Sequence, residues 1–361
     1  MARSGKSQKV TRTAFGQLPD GTAIEMIRLT GDDGFEVRVI SYGAAIQSIL
    51  APDRTGRLTD VVLGFDNPAS YAAVRRFSGA TVGRYANRIA NGSFELDGQR
   101  FQLATNDGVN ALHGGLAGFD RKSWSVTATG DKPAPFVTLS YVSADGEEGY
   151  PGRLEAEVTY SISAGHELSV AYSAVADRPT IVNLTNHSFF NLAGVEPGGR
   201  ILDHHLTIAA DSYLPVNAAG IPLNGPSPVD ATPFDFRKDH RVGVRIRDMI
   251  RQIQIRQGYD HNFCLRGGVT DAPRLAARLE EPRSGRVLEL WTDQAGVQFY
   301  TGNFLDGTAT GKYGRVYRQY DALCLEPQAW PDAPNRPDFP SARLDPGQTY
   351  RRTSRYRFSA T

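Results

Sequence analysis

Two short stretches hold the residue types that acid–base chemistry needs. TNHSFFNL, Thr185 to Leu192, places one of only seven histidines among asparagines, a serine and two phenylalanines. ALCLEPQ, Ala322 to Gln328, closes an apolar run on Glu326, just before Pro327. Between apolar neighbours His187 is partly desolvated, which lowers its pKa unless a carboxylate is close. It also reads as a core histidine whose ring nitrogens are satisfied by neighbours, the usual state of a buried polar side chain. Leu323 and Leu325 alternate with Cys324 and Glu326, so Glu326 ends an apolar strand. Carboxylates are rarely buried without a partner. The plain alternative for Glu326 is a strand end facing water, or a structural ion pair.

Other polar residues recur in similar settings. His113 in ALHGGLAGFD precedes two glycines, which let backbone or ligand approach closely, although a simple turn accounts for them equally. Asp260 in GYDHNF suits acceptance from sugar hydroxyls, or the pinning of a turn. Arg84, Asn87 and Arg88 stand together in VGRYANRIANGSF. Arg88 can donate to a ligand, and a structural salt bridge is the alternative for either arginine. Gln298 in GVQFYTGN is a strand residue whose amide faces a ligand or a neighbouring strand. His204 and His205 are adjacent; on a strand they point to opposite faces, so they share no metal and read as surface histidines. The phosphate loop, G-x-G-x-x-G, H-E-x-x-H and G-x-S-x-G motifs are all missing from the sequence.

The elements that must position these residues are strands. In RLEAEVTYSIS, Leu154, Ala156, Val158, Tyr160 and Ile162 alternate with polar partners, one buried face and one wet face. SFELDGQRFQL reads as a hairpin turning at Asp97-Gly98. FEVRVI, ELSVAYSAVA, HLTIAA, RVLELWT and GVQFYTGNF add more strands. Helical periodicity is scarce: Val244 to Ile253 and the stretch SYAAVRRF are the two candidates, neither with strong caps. Strands without regularly interposed helices predict an all-β antiparallel sandwich or barrel. Leu214 to Phe236, rich in Pro, Gly and Asn, suits a long ordered loop over a sheet. No composition break marks a domain boundary.

Composition bounds the rest. The chain has 361 residues, 40% hydrophobic and 22% charged, with 40 Lys plus Arg against 39 Asp plus Glu. Near-zero net charge offers no concentrated basic face, so neither nucleic acid nor membrane is an expected partner. Two cysteines, Cys264 and Cys324, make neither a disulfide framework nor a zinc motif, and read as reduced core thiols. The opening MARSGKSQKVTRT has no apolar run after its charges, so it is no secretory signal as written. The expectation is cytoplasmic, or periplasmic if a leader has been removed. No run approaches about 18 apolar residues, so no transmembrane helix is expected.

Scattered polar groups on an all-β chain suit a concave sheet face lined with hydrogen-bonding side chains, which binds carbohydrate as readily as anything else. Here a resemblance adds to the residues. GRYANRI (83–89), LHGG (112–115), DGEEGYPG (145–152), NHSFFNL (186–192), DHNF (260–263), VQFYTGN (297–303) and LCLEPQ (323–328) occur in the order of the aldose 1-epimerases, or galactose mutarotases. The sequence resembles that family from about Thr13 to Phe358. The resemblance implies a flexible segment 1–12 and a single domain 13–361, a large antiparallel β-sandwich with an open sugar-binding face. It implies Glu326 as general base and His187 as general acid. It also implies Asn87, Arg88, His113, Asp260 and Gln298 as residues that hold the sugar. One departure is Phe189, where the family more often has tyrosine.

Mutarotation explains the residue types. The base takes the proton of the C1 hydroxyl while the acid protonates the ring oxygen; the open aldehyde turns about C1–C2 and recloses. No cofactor and no metal is implied, and the expected partner is a free aldose, acted on by a monomer or homodimer. A carboxylate near His187 is expected to favour its imidazolium form. Three rivals share parts of this pattern. A hexose-6-phosphate 1-epimerase would need arginines clustered on the phosphate. A glycoside hydrolase would use two carboxylates. A non-catalytic sugar-binding protein would have lost the His–Glu pair.

Overall fold

The period-two pattern of Leu154–Ser163 becomes a strand with all five of its apolar alternates buried. The computed structural model describes residues 9–361. Its largest sheet is antiparallel and nine-stranded. In order it runs Ser125–Gly130, Phe136–Ser143, Leu154–Ser163, Glu167–Ala176, Tyr350–Ala360, Arg286–Thr292, Arg274–Glu280, His205–Ile208 and His240–Arg241. The last strand of the chain, Tyr350–Ala360, therefore sits in the middle, pairing Glu167–Ala176 on one side and Arg286–Thr292 on the other.

A six-stranded sheet lies against it. Its order is Phe189–Phe190, Leu323–Gln328, Gly296–Tyr300, Asp260–Leu265, Ala210–Tyr213 and Ser227–Pro228. A five-stranded sheet from Lys9–Gln17 to Leu58–Asp60 completes the layers. One continuous apolar core joins all three: Phe263, Val297, Phe299 and Leu325 from the second sheet, Val158 and Tyr356 from the first, Val37 and Ile49 from the third. Burying such area from water is the main drive for this stacking. The all-β sandwich expected from the strand pattern is the fold observed.

The six-stranded sheet is two-faced by alternation. Register pairs Asn262 with Gln298 and Gln298 with Glu326, so these three stand in one row across three strands. Asp260 pairs Tyr300, and Tyr300 pairs Cys324, making the next row. Residues directly opposite each other share a face. The face turned from the core is therefore the polar one.

Local expectations fare differently. The hairpin is present: Ser93–Leu96 and Gln99–Gln102 pair across Asp97 and Gly98, whose φ values of 53° and 75° make the turn. The helix expected over Val244 to Ile253 is not. Val242–Val244 forms a single 3₁₀ turn and the α-helix is Arg251–Arg256. The second helix is Pro68–Ala73, and it is capped: Asn67, which precedes the stretch SYAAVRRF, accepts from the Ser70 N–H. The strand Lys9–Gln17 pairs from its first residue, so Lys9 to Arg12 belong to a sheet rather than to a flexible segment; residues 1–8 lie outside the described residues. Arg84 is structural: buried, it donates to the carbonyls of Pro151 and Gly152. Cys264 and Cys324 are free and buried, in different strands and different apolar clusters. No described helix is long and apolar enough to cross a membrane.

His204 corrects the surface reading. It precedes the strand His205–Ile208, and its ring turns inward, where Nε2 accepts the Leu192 N–H at 3.0 Å. Burial lowers its pKa from 6.5 to about 4. The unfolded chain then binds a proton near 6.5 that the folded chain refuses until about 4, so this stability is present above 6.5 and is lost as pH falls to about 4. In His204→Gln the thermal midpoint, followed by circular dichroism, is expected to fall less steeply than wild type over that window. Equal slopes would remove His204 from the acid response.

Candidate active site

The polar face of the six-stranded sheet forms the floor of a cavity of about 400 Å³, within the range of small-molecule sites. Its lining includes Asn87, Arg88, His113, His187, Asp260, Gln298 and Glu326, all seven site residues named from the sequence. They arrive from distant stretches of chain, and three of them share the sheet.

His187 is held by its backbone before its ring matters. Its N–H donates to the Ala80 carbonyl and its carbonyl accepts from the Gly79 N–H, both at 2.9 Å. Asn186 donates to the Gly79 carbonyl at 2.7 Å, and Ser188 donates to Asn186 at 2.6 Å. This is why the stretch is rich in small polar residues. Gly79 has φ 69°, and a Cβ there would lie 1.9 Å from the Ile46 carbonyl oxygen, so only glycine fits the clamp. The ring stands among Phe77, His113 and Phe189, at centroid distances of 5.7, 5.3 and 5.0 Å.

Glu326 faces this ring. Its Oε2 lies 3.7 Å from His187 Nε2, and that oxygen is buried without a hydrogen-bond partner. Burial raises the Glu326 pKa well above the usual carboxylate range, and Asp260 adds to the shift while Arg88 opposes it. Burial likewise lowers His187 to about 4, its own carbonyl and Asp260 pulling back weakly. The expected imidazolium is therefore not the resting form. Desolvation outweighs the neighbouring carboxylate and favours the uncharged form of both groups.

The remaining polar residues form a connected lattice. The Asn87 N–H donates to His113 Nδ1 at 3.1 Å, so the neutral ring carries its proton on Nε2. Burial keeps that ring neutral, with His187 the next cause. The glycines of LHGG serve backbone packing: a Cβ on Gly114 would lie 1.8 Å from the Gly83 oxygen. Gln328 donates to Gln298 at 3.3 Å, and Gln298 donates to Asp260 at 2.7 Å. Arg88 lines the cavity while its Nε donates to Asp107 at 2.7 Å, so the ligand-facing and salt-bridge readings both hold.

Several lining residues escape a reading of the sequence alone. Arg256 is the main one, donating to Asp260 from both Nε and Nη2. Burial raises the Asp260 pKa, but Arg256 and then Arg88 outweigh it and hold the carboxylate at about 2. An arginine four residues before the aspartate in RQGYD was the available signal. Tyr300 was inside a quoted motif; Phe77 and Phe304 had no signal beyond being apolar. Replacing Arg256 by methionine is expected to cost about 3 kcal/mol or more, because it strands a buried carboxylate. Urea unfolding measures this; a cost below about 1 kcal/mol would mean that Asp260 is already solvated.

His113, His187 and Glu326 place one ligand-type atom each within 4.8 Å of one another, a grouping that can hold a metal. The donor set fits poorly. His113 Nδ1 already accepts the Asn87 N–H, so its Nε2 bears hydrogen and has no lone pair for an ion.

Comparison with known proteins agrees with the fold. The chain belongs to the aldose 1-epimerase family, whose description matches residues 25–357. It is 47% identical over 351 residues to the galactose mutarotase of Homo sapiens, covering 97% of this chain and 98% of that protein. It is 36% identical over 344 residues to the aldose 1-epimerase of Escherichia coli (strain K12), covering 95% and 97%. The crystal structure of galactose 1-epimerase from Lactobacillus acidophilus NCFM matches with a TM-score of 0.85 at 32% identity, over 98% of this chain and 99% of that one.

Proposed function

We propose that this chain interconverts the α and β anomers of free aldohexoses such as glucose and galactose, with Glu326 as general base and His187 as general acid. One observation carries the assignment of roles: a buried Glu326 oxygen without a partner lies 3.7 Å from His187 Nε2, inside a cavity lined with hydrogen-bonding groups. The C1 hydroxyl of a sugar is the donor that this oxygen lacks. Its hydrogen bond favours the carboxylate, which lets the shared proton pass to His187. Glu326 then takes the C1 hydroxyl proton, the C1–O5 bond breaks, and O5 receives the proton from His187 Nε2. Rotation about C1–C2 and the reverse transfers close the other anomer. Asn87, Arg88, His113, Asp260 and Gln298 hold the remaining hydroxyls.

An uncharged substrate is supported by the charges around it. Arg75, Arg76, Arg88 and Arg256 line the cavity and each pairs with a carboxylate, Asp120, Asp306, Asp107 and Asp260 respectively. A phosphate would have to break such pairs. The two buried free thiols support a reducing compartment, the cytoplasm. Polarimetry on freshly dissolved α-D-glucose and α-D-galactose tests the reading, with α-D-glucose 6-phosphate alongside. Equilibration well above the spontaneous rate on the free sugars is expected. Acceleration of the phosphorylated sugar alone would overturn the substrate assignment.

A further inference from the structure

Cys324 has no place in the mechanism above, yet it touches the acid. Its Sγ lies 3.6 Å from His187 Nδ1. The contact follows from register: Cys324 pairs with both Phe189 and Tyr300, two residues before Glu326 and so on the same face of the strand. The thiol is fully buried and does not line the cavity, so it reaches the sugar only through the imidazole.

We propose that Cys324 is a positioning residue for His187: its sulfur receives the Nδ1–H, which leaves Nε2 as the nitrogen that exchanges protons with the sugar and Glu326. The inference rests on the acid role proposed for His187. The hydrogen bond made by one ring nitrogen decides what the other can do. Many catalytic histidines have a carboxylate behind Nδ1, which orients the ring and stabilises the imidazolium. A thiol differs in charge. Burial pushes the Cys324 pKa well up, with Glu326 and Asp260 adding to it, so the group stays a neutral S–H. It orients the ring without stabilising its positive form. His187 therefore remains a strong acid once protonated, which suits delivery to a ring oxygen of very low basicity. The S···H–N contact is weak, and a small bias between tautomers is all that is required of it.

The test has two independent parts. Nitrogen-15 NMR of imidazole-labelled protein, with the His187 signals assigned through His187→Asn, reads the resting tautomer of the wild type. Hydrogen on Nδ1 is expected; hydrogen on Nε2 overturns the proposal whatever the activity. Polarimetry on Cys324→Ala and Cys324→Ser is the second part. Cys324→Ala is expected to lower kcat about fivefold, the worth of one modest hydrogen bond, with KM unchanged. In Cys324→Ser the hydroxyl accepts in place of sulfur and restores most of the loss. A Cys324→Ala enzyme with wild-type kcat, or a loss shared equally by the serine variant, overturns the positioning role. Should the alanine variant fail to fold, the NMR measurement on wild type still decides. Failure of the parent reading looks different: wild type then gives no acceleration on any aldose, while the tautomer is still read.

Discussion

Replacing Glu326 by glutamine is expected to reduce kcat for anomer interconversion by about 10²–10⁴-fold, the range lost with one general acid or base. The glutamine has the same shape and fills the same place opposite Gln298. It can still accept a hydrogen bond from the C1 hydroxyl, so KM should change little. Stability should hold or rise. Burial raises the Glu326 pKa, which means the fold works against its charge, and the amide carries none. Polarimetry for the rate and thermal unfolding for the fold separate the two effects. A variant as stable as wild type and as active would remove Glu326 from the chemistry.

Replacing His187 by asparagine is expected to cost a similar factor in kcat, with a second signature. The ring is part of the cavity wall, packed against Phe77, His113 and Phe189. Its loss loosens the wall, so KM should rise and the thermal midpoint fall, unlike in Glu326→Gln. The double variant should be little worse than either single one, because acid and base act on one proton circuit and their losses do not add. If the double loss equals the product of the single losses, the two residues act independently and the paired mechanism is wrong. The pH profile of kcat belongs to the pair and not to either residue. Burial pulls His187 down to about 4 and pushes Glu326 up. The kcat/KM profile, which reports the free enzyme, should therefore have its limbs displaced from the ordinary histidine and glutamate values near 6.5 and 4.3.

Much of the site was legible before folding because the signals are local. Alternation in LCLEP separates Leu323 and Leu325, which enter the core, from Cys324 and Glu326, which face the polar side. The same alternation separates Asp260 and Asn262 from Phe263, and Gln298 from Val297 and Phe299. Asp97-Gly98 dictates its own turn. Helix placement around Val244 to Ile253 was not legible, because a short periodic run without caps gives way to the packing of the loop that holds it. The burial of His204 was hidden for a related reason. A histidine pair looks the same in sequence whether a turn or a strand carries its first member.

The sequence by itself determined which residues could share a face, where the chain turns, and the supply of an imidazole, a carboxylate and several hydrogen-bonding side chains. These follow from side-chain type and period, which neighbours along the chain decide. The tertiary structure alone decided their chemical states. Arg256 holds Asp260 ionised, Asn87 sets the tautomer of His113, and Cys324 meets a histidine 137 residues away. Burial by strands from every part of the chain pushes the Glu326 and His187 pKa values in opposite directions. Protonation depends on local dielectric and on charges a few ångströms off, and neither exists until the sheets have closed over the pocket.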